Sequence, residues 1–185
     1  KVESETKRSQ DLWIAGSSLL AATKKGEPSV DVNKELNAIE KVAVGDQLVT
    51  TVLKSVPESI RENGLVPESV LREKYRQMEK IALKVALVEQ DGAPLPVYFL
   101  SWLQSTLLFM KEPFTDLDTF DLLQRARFWM ERGNLAAAIR YVNSLEGASR
   151  AAASSWYDAA RSHLETRQAA EAIIAHAAAL GIQYI

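Results

Sequence analysis

The sequence predicts an all-α fold: helical hairpins followed by a C-terminal three-helix unit with one long final helix. Three observations carry this reading. Eight Gly and six Pro in 185 residues are few for a turn-rich β protein. No stretch alternates apolar and polar residues as a half-buried strand does. Residues 149–180 are Ala-rich and contain neither Gly nor Pro, which corresponds to roughly 48 Å of continuous helix.

The elements follow in order. Residues 1–22 read as a first helix, polar at its start and apolar at Leu12, Trp13, Ile14, Leu19 and Leu20. Trp13 and Leu20 lie one heptad apart, which suits the end of a coiled coil. The break at 24–28 precedes a second helix capped by Ser29 or Asp31, with Val32, Leu36, Ile39 and Val42/Ala43 at helical spacing. Gly45-Asp46 interrupts it, and Leu48, Val49, Val52 and Leu53 form a short third piece stopped by Pro57. Asn63-Gly64 is a turn. Pro67 sits where a first helical turn tolerates its missing N–H, and starts a helix over 67–89. Residues 97–110 form an apolar helix ended by Pro113. Helices over 117–132 and 135–146 flank a Gly133-Asn134 turn, Gly147 ends the second, and the final helix closes at Gly181. The hairpin 117–146 is superficially similar to a single TPR unit.

Composition narrows the function. Apolar residues at 47% and charged residues at 25% are ordinary for a globular chain and exclude disorder throughout. The net charge is −2, and no third of the chain is basic, which argues against nucleic acid as a partner. Without Cys there are no disulfides, thiolate nucleophiles or Cys zinc sites. His163 and His176, the two histidines, lie 13 residues apart and match no metal-ligand spacing. No nucleophile elbow, dinucleotide fingerprint or phosphate loop occurs, so neither catalysis nor a metal or cofactor is expected. No run of 18 apolar residues exists. The chain opens at Lys1 rather than Met and reads as a piece of a longer protein, its targeting signals out of view.

Three surfaces are candidates for binding. The stripe Phe99, Trp102, Leu103, Leu107, Phe109 and Met110, with Lys111 after it, suits either a membrane interface or a buried core helix. Arg72, Lys74, Arg76, Lys80 and Lys84 form a basic face suited to anionic lipid, although the interleaved Glu68, Glu73 and Glu79 also fit a solvated face of helix ion pairs. Arg125, Arg127, Arg132, Arg140 and Arg150, with Trp129 and Trp156 among them, suit either a groove for a helical partner or surface Arg around core Trp. Apolar surface on Trp13, Leu19, Leu20 and residues 97–110 suggests self-association.

At residues 118–147 the run DTFDLLQRARFWMERGNLAAAIRYVNSLEG resembles the C-terminal signature of the mitofilin family, the core subunits of the MICOS complex. The continuation SRAAASSWYDAARSHLETRQAAEAIIAHAAALG is similar to that family's final long helix. Upstream, PESVLREKYRQMEKIALKVALV and YFLSWLQSTLLF resemble the two segments before the signature. The likeness covers about 57–182, and its 111–116 connection is shorter than the family's Pro-rich loop.

The resemblance implies three regions: 1–56 following a coiled coil, 57–115 carrying lipid-binding helices at roughly 58–80 and 87–115, and a signature domain over 116–185. It implies a non-enzymatic scaffold at the mitochondrial inner membrane, facing the intermembrane space and organising crista junctions. Its partners would be anionic inner-membrane lipid and a CHCH-domain MICOS subunit gripped by the C-terminal helices. The alternative is a soluble TPR-like adaptor that touches no lipid.

Overall fold

A computed structural model describes residues 2–24, 26, 28–91 and 117–183. Eight helices form among the described residues: α1 (Val2–Ala22), α2 (Asn33–Val42), α3 (Gln47–Lys54), α4 (Glu58–Asn63), α5 (Glu68–Asp91), α6 (Leu117–Glu131), α7 (Leu135–Asn143) and α8 (Gly147–Gln183). The all-α expectation holds, and the chain ends in one long helix. The apolar stripe of residues 97–111, with the 111–116 connection after it, lies outside the described residues.

Several boundaries differ from the sequence reading. Pro57 does not simply stop α3. It stands at the N-cap position of α4, a six-residue helix the periodicity did not show. The second helix takes its N-cap at Val32, while Asp31 instead accepts the Asn33 N–H at 2.9 Å in a local turn. Gly147 ends nothing: α7 stops at Asn143, and Gly147, at φ 57°, opens α8. Gly181 does not close the final helix, which runs through it to Gln183. The Gly45-Asp46 interruption and the Gly133-Asn134 turn each supply a helix cap. Asp46 accepts the Leu48 and Val49 N–H groups at the start of α3, and Asn134 accepts the Ala137 N–H at 3.0 Å at the start of α7.

The chain divides into two compact units, Lys1–Leu71 with Arg161–Ile185, and Arg72–Ala160. The final helix, 37 residues long and about 55 Å, contributes residues to each of them.

In the first unit, Leu12, Ala15 and Leu19 of α1 pack with Leu36 and Ile39 of α2, Val49 and Leu53 of α3, and Ile60 of α4. The end of α8 adds Ala169, Ala170, Ile173 and Ala177. Each enclosed Leu or Ile contributes roughly 1.5–3 kcal/mol. Small residues bring α1 and α8 close together. A Cβ on Gly16 would lie 3.0 Å from the Ile174 side chain, and Ser9 Oγ donates to the Ala177 carbonyl at 2.8 Å. Leu19 is thus fully enclosed and Leu20 partly so, which withdraws both from the surface expected to self-associate. Trp13 and Ile14 remain half exposed.

One antiparallel bridge ties the ends of two loops, with Val30 and Leu65 exchanging backbone hydrogen bonds of 2.8 Å each. Gly64 makes this approach possible. Its φ of 81° and ψ of 176° suit only glycine, and a Cβ there would sit 2.9 Å from the Val30 carbonyl oxygen.

Replacing Gly64 by Ala should therefore cost roughly 1–3 kcal/mol in denaturant unfolding. Gly45→Ala, also at positive φ but facing open space, should cost less, only the roughly 1–2 kcal/mol of the left-handed backbone. Equal losses would show that the Val30 contact does not constrain the turn.

Candidate anionic-surface interface on helix α5

Helix α5 buries Leu71, Tyr75, Met78, Glu79, Ala82 and Ala86, which recur at three- and four-residue steps. Its opposite side carries Arg72, Lys74, Arg76 and Lys80, all exposed, and Lys84, half-buried. These five cations span thirteen residues, roughly 18 Å of helix from first to last. Ile81 lies among them, 53% exposed.

Contacts made by three of its residues within the second unit fix which way the helix faces. Tyr75 donates its hydroxyl to the Leu123 carbonyl on α6 at 2.7 Å, and its ring meets the Trp156 ring edge-on at 5.1 Å. Glu79 turns inward and accepts from Nε of Arg127 at 3.0 Å and from the same guanidinium's Nη2. Further along, Ser149 of α8 donates to the Ala82 carbonyl at 3.2 Å.

Glu79 is the decisive residue. Its side chain is 3% exposed, whereas Arg127 is half exposed. Burial pushes its carboxyl above the ordinary value, a shift the Arg127 hydrogen bond opposes without cancelling. The bond to Glu79 holds the Arg127 guanidinium charged. Burial, with the neighbouring Glu79 charge, likewise raises the Tyr75 hydroxyl and keeps it a donor. The sequence reading counted Glu79 among the acids diluting the basic face. The fold removes it from that face, and of the interleaved acids only Glu73 stays fully exposed there, with Glu68 half-buried at the helix start.

The candidate partner residues are dispersed. Trp156 is 4% exposed and belongs to the core, while Trp129 is half-buried. Arg127 is engaged by Glu79. Arg125 pairs with Asp121 at 2.9 Å, and the bond holds its guanidinium further toward the charged form. Arg150 lies over the Tyr157 ring at 4.2 Å, and Arg140 is exposed. Arg132 stacks 3.5 Å above the centre of Phe128, whose ring meets Trp129 edge-on at 5.2 Å. The sequence reading missed Phe128, which is 44% exposed. Its helical neighbours Gln124, Arg125, Glu131 and Arg132 are all polar, and that pattern marks the ring as outward.

Among the described residues no group of acids and histidines has metal-ligand geometry, and no helix is long and apolar enough to cross a membrane. Phe99, Trp102, Leu103, Leu107, Phe109, Met110 and Lys111, expected to touch membrane, lie outside the described residues.

Comparison with known proteins finds the family described as Mitofilin, mitochondrial inner membrane protein, matching residues 1–178. MICOS complex subunit Mic60 of Drosophila melanogaster is 42% identical over 99% of this chain and 28% of its own length. The mic60 subunit of Talaromyces marneffei is 28% identical over 92% of this chain and 26% of its own length. The chain therefore spans little more than a quarter of these relatives. No solved structure matches.

Arg127→Ala leaves the Glu79 carboxylate enclosed without its counter-charge. The expected loss is about 2 kcal/mol, below the ~3–5 of a fully enclosed pair because Arg127 is half in solvent. Because burial raises the Glu79 carboxyl, its ionised form costs stability as pH rises through and above the ordinary carboxylate range. The variant's deficit should thus be largest near neutral pH and shrink in acid, where Glu79 is protonated. Denaturation at several pH values checks this, and a pH-independent deficit would contradict it.

Proposed function

The chain belongs to the mitofilin family, and from that premise we propose that it is a non-enzymatic, membrane-shaping part of a MICOS subunit at the mitochondrial inner membrane. It faces the intermembrane space and helps organise crista junctions. The relatives are named as subunits of this complex, and the basic face of α5 supports a direct role at the lipid surface.

The observation that carries this reading is the inward turn of Glu79. With that acid engaged by Arg127, Arg72, Arg76, Lys80 and Lys84 follow one another at four-residue steps along α5, Lys74 lies further round the helix, and Glu73 is the one exposed acid interleaved among them. Each cation near an anionic leaflet contributes about 1 kcal/mol, and the attraction fades beyond a Debye length of about 8 Å at physiological salt. Ile81 adds a small apolar contact. The following segment carries Phe99, Trp102, Leu103, Leu107, Phe109, Met110 and Lys111. That composition suits insertion into the headgroup boundary of one leaflet, which favours curvature.

A CHCH-domain subunit is the protein partner, received on the outward side of α6, where Arg132 and Trp129 pack on the Phe128 ring, with Arg125 exposed on the same helix and Arg140 exposed on α7. Trp and Arg are the residues most able to anchor such a contact.

Vesicle flotation tests the lipid reading. Replacing Arg76 and Lys80 by Ala removes about 2 kcal/mol of attraction, so binding to anionic vesicles should weaken about 30-fold. It should weaken likewise in high salt, and Phe99→Asp with Trp102→Asp should reduce it further. Unchanged flotation of both variants, with helicity intact by circular dichroism, would overturn the lipid role and favour an adaptor that holds only proteins.

A further inference from the structure

The two histidines both lie on α8, in opposite settings, and both are engaged within the first unit. His176 Nε2 meets Asp46 Oδ2 at 2.8 Å near the surface. The same carboxylate caps α3 through its other oxygen. Burial pushes the Asp46 carboxyl up, but the His176 contact and the Val49 and Leu48 N–H groups outweigh it and hold it below its ordinary value.

His163 is wholly enclosed. Its Nδ1 lies 2.8 Å from the Val66 carbonyl, so Nδ1 carries the proton and donates. Nε2 is buried and meets no partner. Two charged groups act on the ring: Arg167, one turn further along α8, and Glu68, in the first turn of α5. Protonation would place a second N–H and a positive charge where nothing accepts them. Burial dominates the balance, Arg167 adds to it, and the Val66 carbonyl and Glu68 oppose it, which leaves the imidazole below its ordinary value.

We propose that His163 is a proton-released fastening that holds α8 to the chain entering α5 and lets go in mild acid. Val66 lies between the Gly64 turn and Pro67, just ahead of α5, so the released segment is the root of the helix that bears the basic face. The α3 end is held differently: the Asp46 carboxylate, kept below its ordinary value by the His176 contact and the Val49 and Leu48 N–H groups, stays ionised in mild acid and goes on capping α3. Acid therefore opens the α5 root while the α3 end stays latched.

The sign follows from linkage. With His163 held below its ordinary value, the open form binds the proton more tightly than the closed form. The fastening is fully present above the ordinary imidazole value and is lost as pH falls below it. One proton taken up on opening raises the open population by about tenfold per pH unit.

Amide hydrogen exchange on the full chain between pH 7.5 and 5.5, corrected for intrinsic rates, reads this directly. Amides of residues 65–71 should open equally at all pH values above the ordinary imidazole value and up to about tenfold more per pH unit below it, while those of 48–50 stay constant. His163→Asn keeps a donor for the Val66 carbonyl but cannot titrate, so it should flatten the slope at 65–71. An equal slope in the variant would overturn the proposal. Should that variant fold poorly, nitrogen-detected NMR of the wild-type imidazoles decides the matter. The proposal requires the Nδ1–H tautomer and a midpoint below that of free histidine at His163. An Nε2–H tautomer or an ordinary midpoint would refute it.

Discussion

The ion pair between Glu79 and Arg127 sets the orientation of α5, and much of the second unit's surface chemistry depends on it. Burying a carboxylate is costly, and a single half-exposed guanidinium only partly offsets that cost. The pair is supported by its neighbours. Tyr75, one turn earlier, is locked by the Leu123 carbonyl and the Trp156 ring, and Ser149 holds the Ala82 carbonyl one turn later. Together these contacts fix the rotation of α5 about its axis. A rotation of one residue, about 100°, would bring a Lys or Arg inward and carry Glu79 out among the cations.

Helix α8 imposes the second constraint. It serves two cores with different side chains. Ala153, Trp156 and Ala160 are buried in the second unit; Ala169, Ala170, Ile173 and Ala177 in the first. An aromatic anchor suits packing on Tyr75. Alanines suit the close approach to α1 at Gly16. High alanine content also favours a continuous helix over 37 residues, so a strong local preference and two tertiary demands agree along one element.

Much of the fold was legible in the sequence because local chemistry decides it. Pro67 starts α5, Gly45-Asp46 and Gly133-Asn134 separate neighbouring helices, and the final helix lacks breakers until Gly181. The sequence misled where a short or distant interaction governs. Six residues after Pro57 are too few to show a period, so α4 went unseen. Gly181 reads as a stop, yet in the fold a Cβ there would lie 3.1 Å from Ser9 Oγ, so glycine suits the close approach of α1. In the candidate site, the cations of α5 were readable from their four-residue spacing. The inward turn of Glu79 was not, because its partner lies 48 residues away and Glu73 presents the same side chain on the same helix. The enclosure of Trp156 rather than Trp129 likewise depends on Tyr75, which is remote in sequence.

Membership of the mitofilin family joins these features to the inner membrane, and the account turns on whether the outward side of α5 meets lipid. The chain has no native Cys, so single nitroxide labels can be placed without interference. Labels at Arg76→Cys, Ile81→Cys and Lys84→Cys on α5, with Gln124→Cys on α6 as reference, report contact by electron paramagnetic resonance. On adding anionic vesicles, the α5 labels should lose mobility and become less accessible to a water-soluble relaxant, with Gln124→Cys unchanged. Spectra of the α5 labels that stay the same with and without vesicles would contradict the account.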